Sequence, residues 1–177
     1  MDHVLLAGIW GGLVAVLGAA YPEEKVSHPL YSTKNWLLAI GGLLLLVYSC
    51  LNYAFVSGSF FFILLESLVV MASLMMMANV KESLASIVLI LAGVAFIAWS
   101  FFLYEDHQTI FFIVGLTGVA LGYTFKMGSV KRSLALTLGS ALIALFSFLG
   151  KDAVFFWLNA FFAVFSAYYL ITAIRKR

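Results

Sequence analysis

Seven apolar segments, separated by short gaps of charged and turn-forming residues, decide what this chain can fold into. A helix crosses the hydrocarbon core of a bilayer with about 17 to 25 apolar residues, and each segment falls in that range. Because backbone groups in lipid must bond within their own structure, such segments form helices and not isolated strands. The sequence predicts an all-α, polytopic membrane protein with seven transmembrane helices over residues 4–20, 36–53, 59–78, 84–103, 109–125, 133–149 and 153–174.

The composition leaves little material for a soluble domain. Of the 177 residues, 64% are hydrophobic and 10% charged, whereas soluble domains have about 25% charged residues. The net charge of +2 comes from short gaps and the C-terminus, so the expected partners are the lipid bilayer and a small-molecule substrate, not nucleic acid. Cys50 lies alone in an apolar run and is expected to be a packing residue. His3, His28 and His107 lie outside the apolar segments, and no cluster has metal-ligand spacing, so neither a metal nor a cofactor is predicted.

The charges in the gaps predict the orientation. With the N-terminus outside, nine basic residues fall on the inner side and only Lys151 on the outer side, as the positive-inside rule requires. Asp2 and His3 stand where a signal peptide would carry Lys or Arg, so the first segment is expected to remain as a helix. The predicted location is a bacterial-type inner (plasma) membrane with the C-terminus in the cytoplasm. The inner basic residues are Lys25, Lys34, Lys81, Lys126, Lys131, Arg132, Arg175, Lys176 and Arg177.

Small and polar residues recur in the same order in helices 1–3 and helices 5–7, which indicates an internal repeat. Two sets of three helices joined by one linker helix have the same orientation, so the repeats are expected to be parallel. The predicted 3+1+3 arrangement has a first bundle over 1–80, a linker helix over 81–107 and a second bundle over 108–177. The matched residues are Gly11 and Gly18 with Gly115 and Gly122, Gly41 and Ser49 with Gly139 and Ser147, and Glu66 and Ser73 with Asn159 and Ser166.

Glu66 is the only charged side chain inside the seven apolar segments. A carboxylate in hydrocarbon is costly, so such a residue faces a partner, a polar cavity or a substrate path. Glu66 lies roughly 12 Å from the outer end of its helix at a rise of about 1.5 Å per residue. One interpretation is a substrate-binding group, and the other is a neutral carboxyl that holds two helices together by a hydrogen bond.

Six further residues complete the predicted substrate-binding set. Asn159 stands at the repeat position of Glu66, so both are expected to face one central cavity. Ser73 and Ser166 follow Glu66 and Asn159 by seven residues and share their helix faces. Each serine alone is also explained by small-residue packing, and Tyr48 by aromatic packing in the core. The remaining members of the set are Ser49, Ser147 and Tyr48.

The last helix resembles that of the SWEET/PQ-loop superfamily, which includes the Pnu-type vitamin transporters. The resemblance rests on Phe155-Phe-Trp-Leu-Asn159 followed by Ser166-Ala-Tyr-Tyr169. It implies a 3+1+3 transporter in which Asn159 lines the central cavity, with Glu66 at a position where sugar carriers usually have another Asn. The chain departs from the family in lacking a Pro-Gln pair, to which Tyr21-Pro22-Glu23 is the nearest feature, and in lacking a tryptophan in helix 6.

These observations favour a transporter of a small polar or cationic metabolite, such as a sugar, a vitamin or an amino-acid-like solute. It would work by alternating access between the two bundles. An acidic group at position 66 suits either a cationic substrate or a proton-linked cycle. An enzyme is not expected, because Glu66 is alone in the membrane segments, without a His, Asp or Lys. The alternatives are a non-transporting membrane subunit or receptor of SWEET-like fold, a membrane-embedded enzyme, and a channel, which would require a homo-oligomer to form a ring of Glu66 side chains.

Overall fold

The computed structural model describes residues 2–21, 27–104, 106–126 and 128–175. Over these ranges the chain forms seven α-helices and one short 3₁₀ helix, Pro29–Tyr31, with no strand. Five helices, α1, α2, α4, α6 and α7, are long and apolar enough to cross a membrane, whereas α3 and α5 are shorter apolar helices. A helical membrane protein is therefore confirmed. The helices are α1 Asp2–Ala20, α2 Thr33–Val56, α3 Phe61–Met77, α4 Glu82–Phe102, α5 Thr109–Thr124, α6 Val130–Leu149 and α7 Ala153–Arg175.

The predicted helices are all present, and two of them begin earlier than predicted because polar caps extend the apolar runs. Helix α3 is instead shorter than predicted, Phe61–Met77 in place of 59–78. Helix α2 begins three residues earlier than predicted because the Ser32 hydroxyl accepts a hydrogen bond from the Asn35 N–H at 3.4 Å. Helix α6 also begins three residues early, since the Ser129 hydroxyl accepts from the Arg132 N–H at 3.2 Å. A serine at the N-cap replaces one of the hydrogen bonds that the first helical turn lacks.

Two aspartates begin the helices of the second half in the same way. Asp106 Oδ1 accepts from the N–H of Thr109 at 3.1 Å, and Asp152 Oδ1 accepts from the N–H of Phe155 at 3.1 Å. At helix C-termini the chain turns at residues in the left-handed region, among them Ser57 after α2, at φ 64°. These local signals divide the apolar sequence into helices of defined length.

The chain divides into two compact units, Met1–Ala85 and Ser86–Arg177. In the first unit, α2 packs against both α1 and α3. The α1–α2 contact is closest at Gly41, where an added Cβ would lie 2.6 Å from the backbone nitrogen of Ala15. Only a glycine lets the two backbones approach so closely, as is typical of helix pairs in membranes.

The alignment of α3 on α2 follows from two contacts. A Cβ at Gly42 would lie 3.4 Å from Val70, and the rings of Tyr53 and Phe60 are 5.4 Å apart at the other end. Residues later in α2 therefore lie beside residues earlier in α3, and the two helices are antiparallel.

In the second unit, α6 packs against both α5 and α7. The backbones of α5 and α6 come closest at Gly139, where an added Cβ would lie 2.7 Å from the backbone nitrogen of Val119. Helix α4, predicted within a separate linker, lies almost wholly in this unit. It contacts α5, because a Cβ at Gly93 would lie 3.0 Å from the Cβ of Ala120.

The contacts between α1 and α2 recur between α5 and α6 at constant sequence offsets. The first helices are offset by 104 positions and the second helices by 98. Each pair therefore meets through equivalent residues, although each unit forms its contacts independently. The matched contacts are Gly8–Tyr48 with Phe112–Phe146, Gly11–Leu45 with Gly115–Ile143, Gly18–Leu38 with Gly122–Leu136, and Gly41–Ala15 with Gly139–Val119.

A basic side chain closes each of these helix pairs at equivalent positions. Lys34 Nζ donates to the carbonyl oxygen of Tyr21 at 3.0 Å, just beyond the end of α1. Arg132 Nη1 donates to the carbonyl oxygen of Phe125 at 3.3 Å, just beyond the end of α5. A cation is favourable at a helix C-terminus, where carbonyl groups lack helical partners. Both residues belong to the predicted inner basic set. Their hydrogen bonds show that they also stabilise the helix pairs.

Some sequence predictions lie outside the described residues. They concern Lys25, Lys176 and Arg177 of the basic set and the Pro22–Glu23 pair.

The glycine contacts predict a stability difference among glycine variants. Gly41→Ala and Gly139→Ala should each lower the thermal unfolding midpoint in detergent, because overpacking costs about 1–3 kcal/mol and exceeds the gain in helix propensity of about 1 kcal/mol. Gly12→Ala is the matched control, since nothing lies within 4 Å of a Cβ at that position. A midpoint lowered equally by all three substitutions would contradict the close approach.

Candidate functional site

Glu66 combines deep burial with an unsatisfied polar atom. Its side chain is 2% exposed, and it lies in the second turn of α3, five residues after Phe61. Its oxygen Oε2 has no hydrogen-bond partner, and across the described residues it is the only fully buried side-chain nitrogen or oxygen in that condition. A buried polar group without a partner costs about 1–3 kcal/mol, so it requires a reason other than folding.

The alignment of α3 on α2 shows what lies at the level of Glu66. Counting from Gly42 beside Val70 places Glu66 opposite Leu46, and counting from Tyr53 beside Phe60 places it opposite Val47. Ser49, another predicted site residue, therefore lies within one helical turn of this level.

Asn159 holds the corresponding position in the second unit. It is 5% exposed, and its Nδ2 donates to the carbonyl oxygen of Phe155 at 2.9 Å, one turn earlier in α7. The buried residues of α7 are Phe155, Leu158 and Asn159. At an offset of 93 positions they match Phe62, Leu65 and Glu66, which are also buried. The three buried residues of α7 therefore have buried equivalents on α3, with an amide in one helix and a carboxyl in the other, although α3 buries further residues.

The alignment of α7 on α6 also agrees with that of α3 on α2. The rings of Phe148 and Phe156 are 5.5 Å apart and fix two antiparallel helices. Counting from this contact places Asn159 opposite Leu145. The residues equivalent to Leu46 and Val47 are Ala144 and Leu145, so the two polar groups hold equivalent levels in their own units to within one residue.

Ser49 and Ser147 are equivalent in burial and in bonding. They are 1% and 0% exposed, and each hydroxyl donates at 2.8 Å to the carbonyl oxygen four residues earlier, Leu45 or Ile143. A hydroxyl has one hydrogen and two lone pairs. Both serine hydroxyls therefore already donate their hydrogen within their own helix, and they can only accept a hydrogen bond from another group.

Tyr48 and Asn52 form a polar pair one turn apart on α2. The Tyr48 ring packs against α1, where a Cβ at Gly8 would lie 2.8 Å from the ring. Asn52, 9% exposed, lies with Nδ2 3.4 Å from the Tyr48 hydroxyl, and its backbone oxygen accepts from the N–H of Gly58 at 2.9 Å. The sequence analysis missed Asn52 because α2 was expected to end at residue 53. Its spacing of four residues from Tyr48 was the signal that could have identified it.

The remaining predicted residues lie on α3, α7 and α2. Ser73 is 6% exposed on α3, and Ser166 is half-buried on α7. Cys50, expected to pack inside, is instead exposed. Its position follows Ser49 by one residue, which turns it away from the buried face of α2.

An open apolar groove of about 460 Å³ lies between α6 and α7, apart from the predicted site residues. It exists because small residues of α6 replace larger ones of α2. Ala141 and Ala144 correspond to Leu43 and Leu46. The groove is lined by Ala141, Ala144, Leu145, Phe148, Phe156, Ala160 and Ala163.

Comparison of the chain with protein-family models, with curated proteins and with solved structures gives no match. The candidate site therefore rests on the residues of this chain and on their geometry.

The unpaired oxygen of Glu66 predicts a stabilising substitution. Glu66→Met keeps the side-chain volume and removes a buried unsatisfied atom, so the unfolding free energy should rise by about 1–3 kcal/mol. Asn159→Leu is the control, because it removes an amide whose Nδ2 has a partner. The measurement is the thermal midpoint of both variants in one detergent. A large loss of stability in Glu66→Met would instead identify Glu66 as a residue that holds helices together.

Proposed function

We propose that this protein is a membrane transporter of a small polar or cationic metabolite, with Glu66 as its central substrate-binding group. The observation that carries the proposal is the buried carboxyl oxygen without a partner. A side chain that only joined two helices would use its polar atoms in hydrogen bonds between them. A group that is buried, ionisable and unsatisfied suits a position that receives a ligand.

The mechanism proposed is alternating access between two parallel three-helix repeats, α1–α3 and α5–α7. The matched contacts of Gly41 with Ala15 and of Gly139 with Val119 support a common origin of the two sets. So do the equivalent hydrogen bonds of Lys34 and Arg132. Repeat transporters bind their substrates near the bilayer midplane, between the repeats. The resemblance to the SWEET/PQ-loop superfamily belongs to the same proposal.

Asn159 is proposed as the second substrate-binding group. It occupies the position of Glu66 in the other repeat and has the same buried neighbours on its helix. Ser49 and Ser147 would contribute acceptor lone pairs near this level, since each lies on the buried face of its helix.

Transport into proteoliposomes tests the function. Reconstituted protein should accumulate at least one member of a panel of sugars, vitamins, amino acids and organic amines, assayed with and without a pH gradient. Glu66→Gln keeps the shape of the side chain and removes its charge, so it should reduce uptake at least about tenfold, the loss expected when binding weakens by about 1.4 kcal/mol.

Glu82→Gln is the matched control for this experiment, because Glu82 is exposed in the first turn of α4. This variant should transport like the unchanged protein. Normal uptake by a well-folded Glu66→Gln variant at every pH would remove Glu66 from the site. Absence of uptake across the whole panel would favour a non-transporting subunit.

The proposed orientation places the N-terminus outside the cell. In a Cys50→Ser background, a cysteine at His107 should react with a membrane-impermeant maleimide on intact cells. A cysteine at Ser27 should react only after permeabilisation, because it precedes α2 on the side rich in basic residues. Both positions are on connecting segments, so neither substitution alters a helix. Reaction of the two cysteines from the same side would contradict the seven-helix topology.

A further inference from the structure

We infer that the substrate is an organic monocation bearing N–H groups, and that Glu66 exchanges one proton for one such cation. The inference rests on the proposed transport function and specifies its substrate class and coupling. It follows from three properties of the described residues: which hydrogens are already bonded, which charges are buried, and where the basic residues lie.

The polar side chains of the candidate site offer mainly hydrogen-bond acceptors. The hydroxyls of Ser49 and Ser147 donate to their own helices, as does Nδ2 of Asn159. What remains on the serines is oxygen lone pairs, and Asn159 keeps its carbonyl oxygen as an acceptor and the second hydrogen of Nδ2 as a donor. Within the first unit, the lone pairs of Ser49 and a carboxylate at Glu66 both accept hydrogen bonds, which fits a solute that donates them.

Glu66 has no basic neighbour at its level in the helices known to pack on it. Helix α2 and the 3₁₀ helix pack against α3. The nearest titratable group by alignment is the Tyr48 phenol, which is 3.4 Å from the Asn52 amide. Lys34 is opposite Ala78, roughly 18 Å along the helix from Glu66 at about 1.5 Å per residue. The titratable groups on these two elements and on the residue preceding the 3₁₀ helix are Lys34, Tyr48, Cys50, Tyr53, Tyr31 and His28.

The positions of the basic residues argue against anionic and zwitterionic substrates. Lys34, Lys131 and Arg132 lie in the first turns of α2 and α6, and Arg175 ends α7. No other Lys or Arg occurs in the seven described helices. A carboxylate or phosphate on the substrate would therefore lack a counter-charge at the depth of Glu66, where an unpaired charge is costly. A neutral sugar would not take the place of the Glu66 proton, so it would not drive a proton exchange.

A proton and a cation can then bind the Glu66 carboxyl in turn, each in place of the other. Without substrate, the neutral carboxyl is the form that is cheaper to bury. When an N–H cation enters, the Glu66 O–H bond breaks, its proton leaves to water on that side, and the carboxylate pairs with the cation. On the opposite side a proton from water binds Glu66 and the cation leaves. Each cycle moves one positive charge in each direction, so the exchange is electroneutral.

Carbodiimide labelling tests the binding step without requiring transport. Dicyclohexylcarbodiimide reacts with protonated carboxyl groups in apolar surroundings, and the adduct is counted by intact mass. The unchanged protein and Glu82→Gln should be labelled, and Glu66→Gln should not. Methylguanidinium, which remains charged at all working pH values, should slow labelling about tenfold at ten times its half-protection concentration, as simple competition requires. Tetramethylammonium has no N–H group and should not protect, and neither should sorbitol or acetate.

The coupling is measured in proteoliposomes that contain a pH-sensitive dye. External methylguanidinium should raise the internal pH in vesicles with the unchanged protein or Glu82→Gln, but not with Glu66→Gln. An imposed membrane potential should not change the size of this pH rise. Protection by sorbitol or acetate equal to that by methylguanidinium, or no protection by methylguanidinium, would overturn the substrate class. Methylguanidinium uptake without proton movement, or uptake driven by the potential, would overturn the exchange. If another solute is taken up while methylguanidinium does not protect Glu66 from carbodiimide labelling, the transport function stands and this inference is refuted.

Discussion

The close approach of two backbones at a glycine is the contact on which each unit depends. Lipid tails are as apolar as leucine, so the hydrophobic effect gives helices in a bilayer little reason to associate. Van der Waals contact must hold them, and such contact is most favourable where no side chain separates the backbones. Gly41 supplies that position against Ala15, and Gly139 supplies it against Val119. The alignment set there brings Lys34 and Arg132 to the ends of the preceding helices.

A scaffold fixed in this way can vary at a few positions without losing its geometry. The ring of Tyr48 and the ring of Phe146 fill matching places, and only one carries a hydroxyl. Glu66 and Asn159 follow matching pairs of buried apolar residues, and only one can carry a charge. These differences lie on the buried faces of the second and third helices, and the first helices keep their contact positions although Gly8 is replaced by Phe112 and Ala15 by Val119. The two units therefore share contact positions while they differ in the side chains at several of them.

The sequence predicted the parts of this structure that follow from composition and periodicity. All seven helices were predicted, because lipid imposes helix length. Gly41 and Gly139 were matched as positions of a repeat, but their place at the closest approach of two backbones was not predicted. The starts of α2 and α6 were predicted three residues late, since Ser32 and Ser129 are polar and lie outside the apolar runs. The unpaired oxygen of Glu66 could not be predicted, because a hydrogen-bond partner depends on the side-chain positions of neighbouring helices. The exposure of Cys50 depends likewise on which face of α2 packs.

The presence of a carboxyl in one unit and an amide in the other has a consequence for coupling. Two carboxyls at these equivalent positions would bring two protons or two cations into the membrane, at twice the cost of burial. With Asn159 in place of the second carboxyl, the described helices have one ionisable carboxyl at this depth. One such group can be neutralised by one proton or by one monovalent cation. The Nδ2 of Asn159 already donates a hydrogen bond to the carbonyl oxygen of Phe155, so Asn159 adds an acceptor without adding a charge. The difference between the two units thus limits the proposed exchange to one charge for one charge.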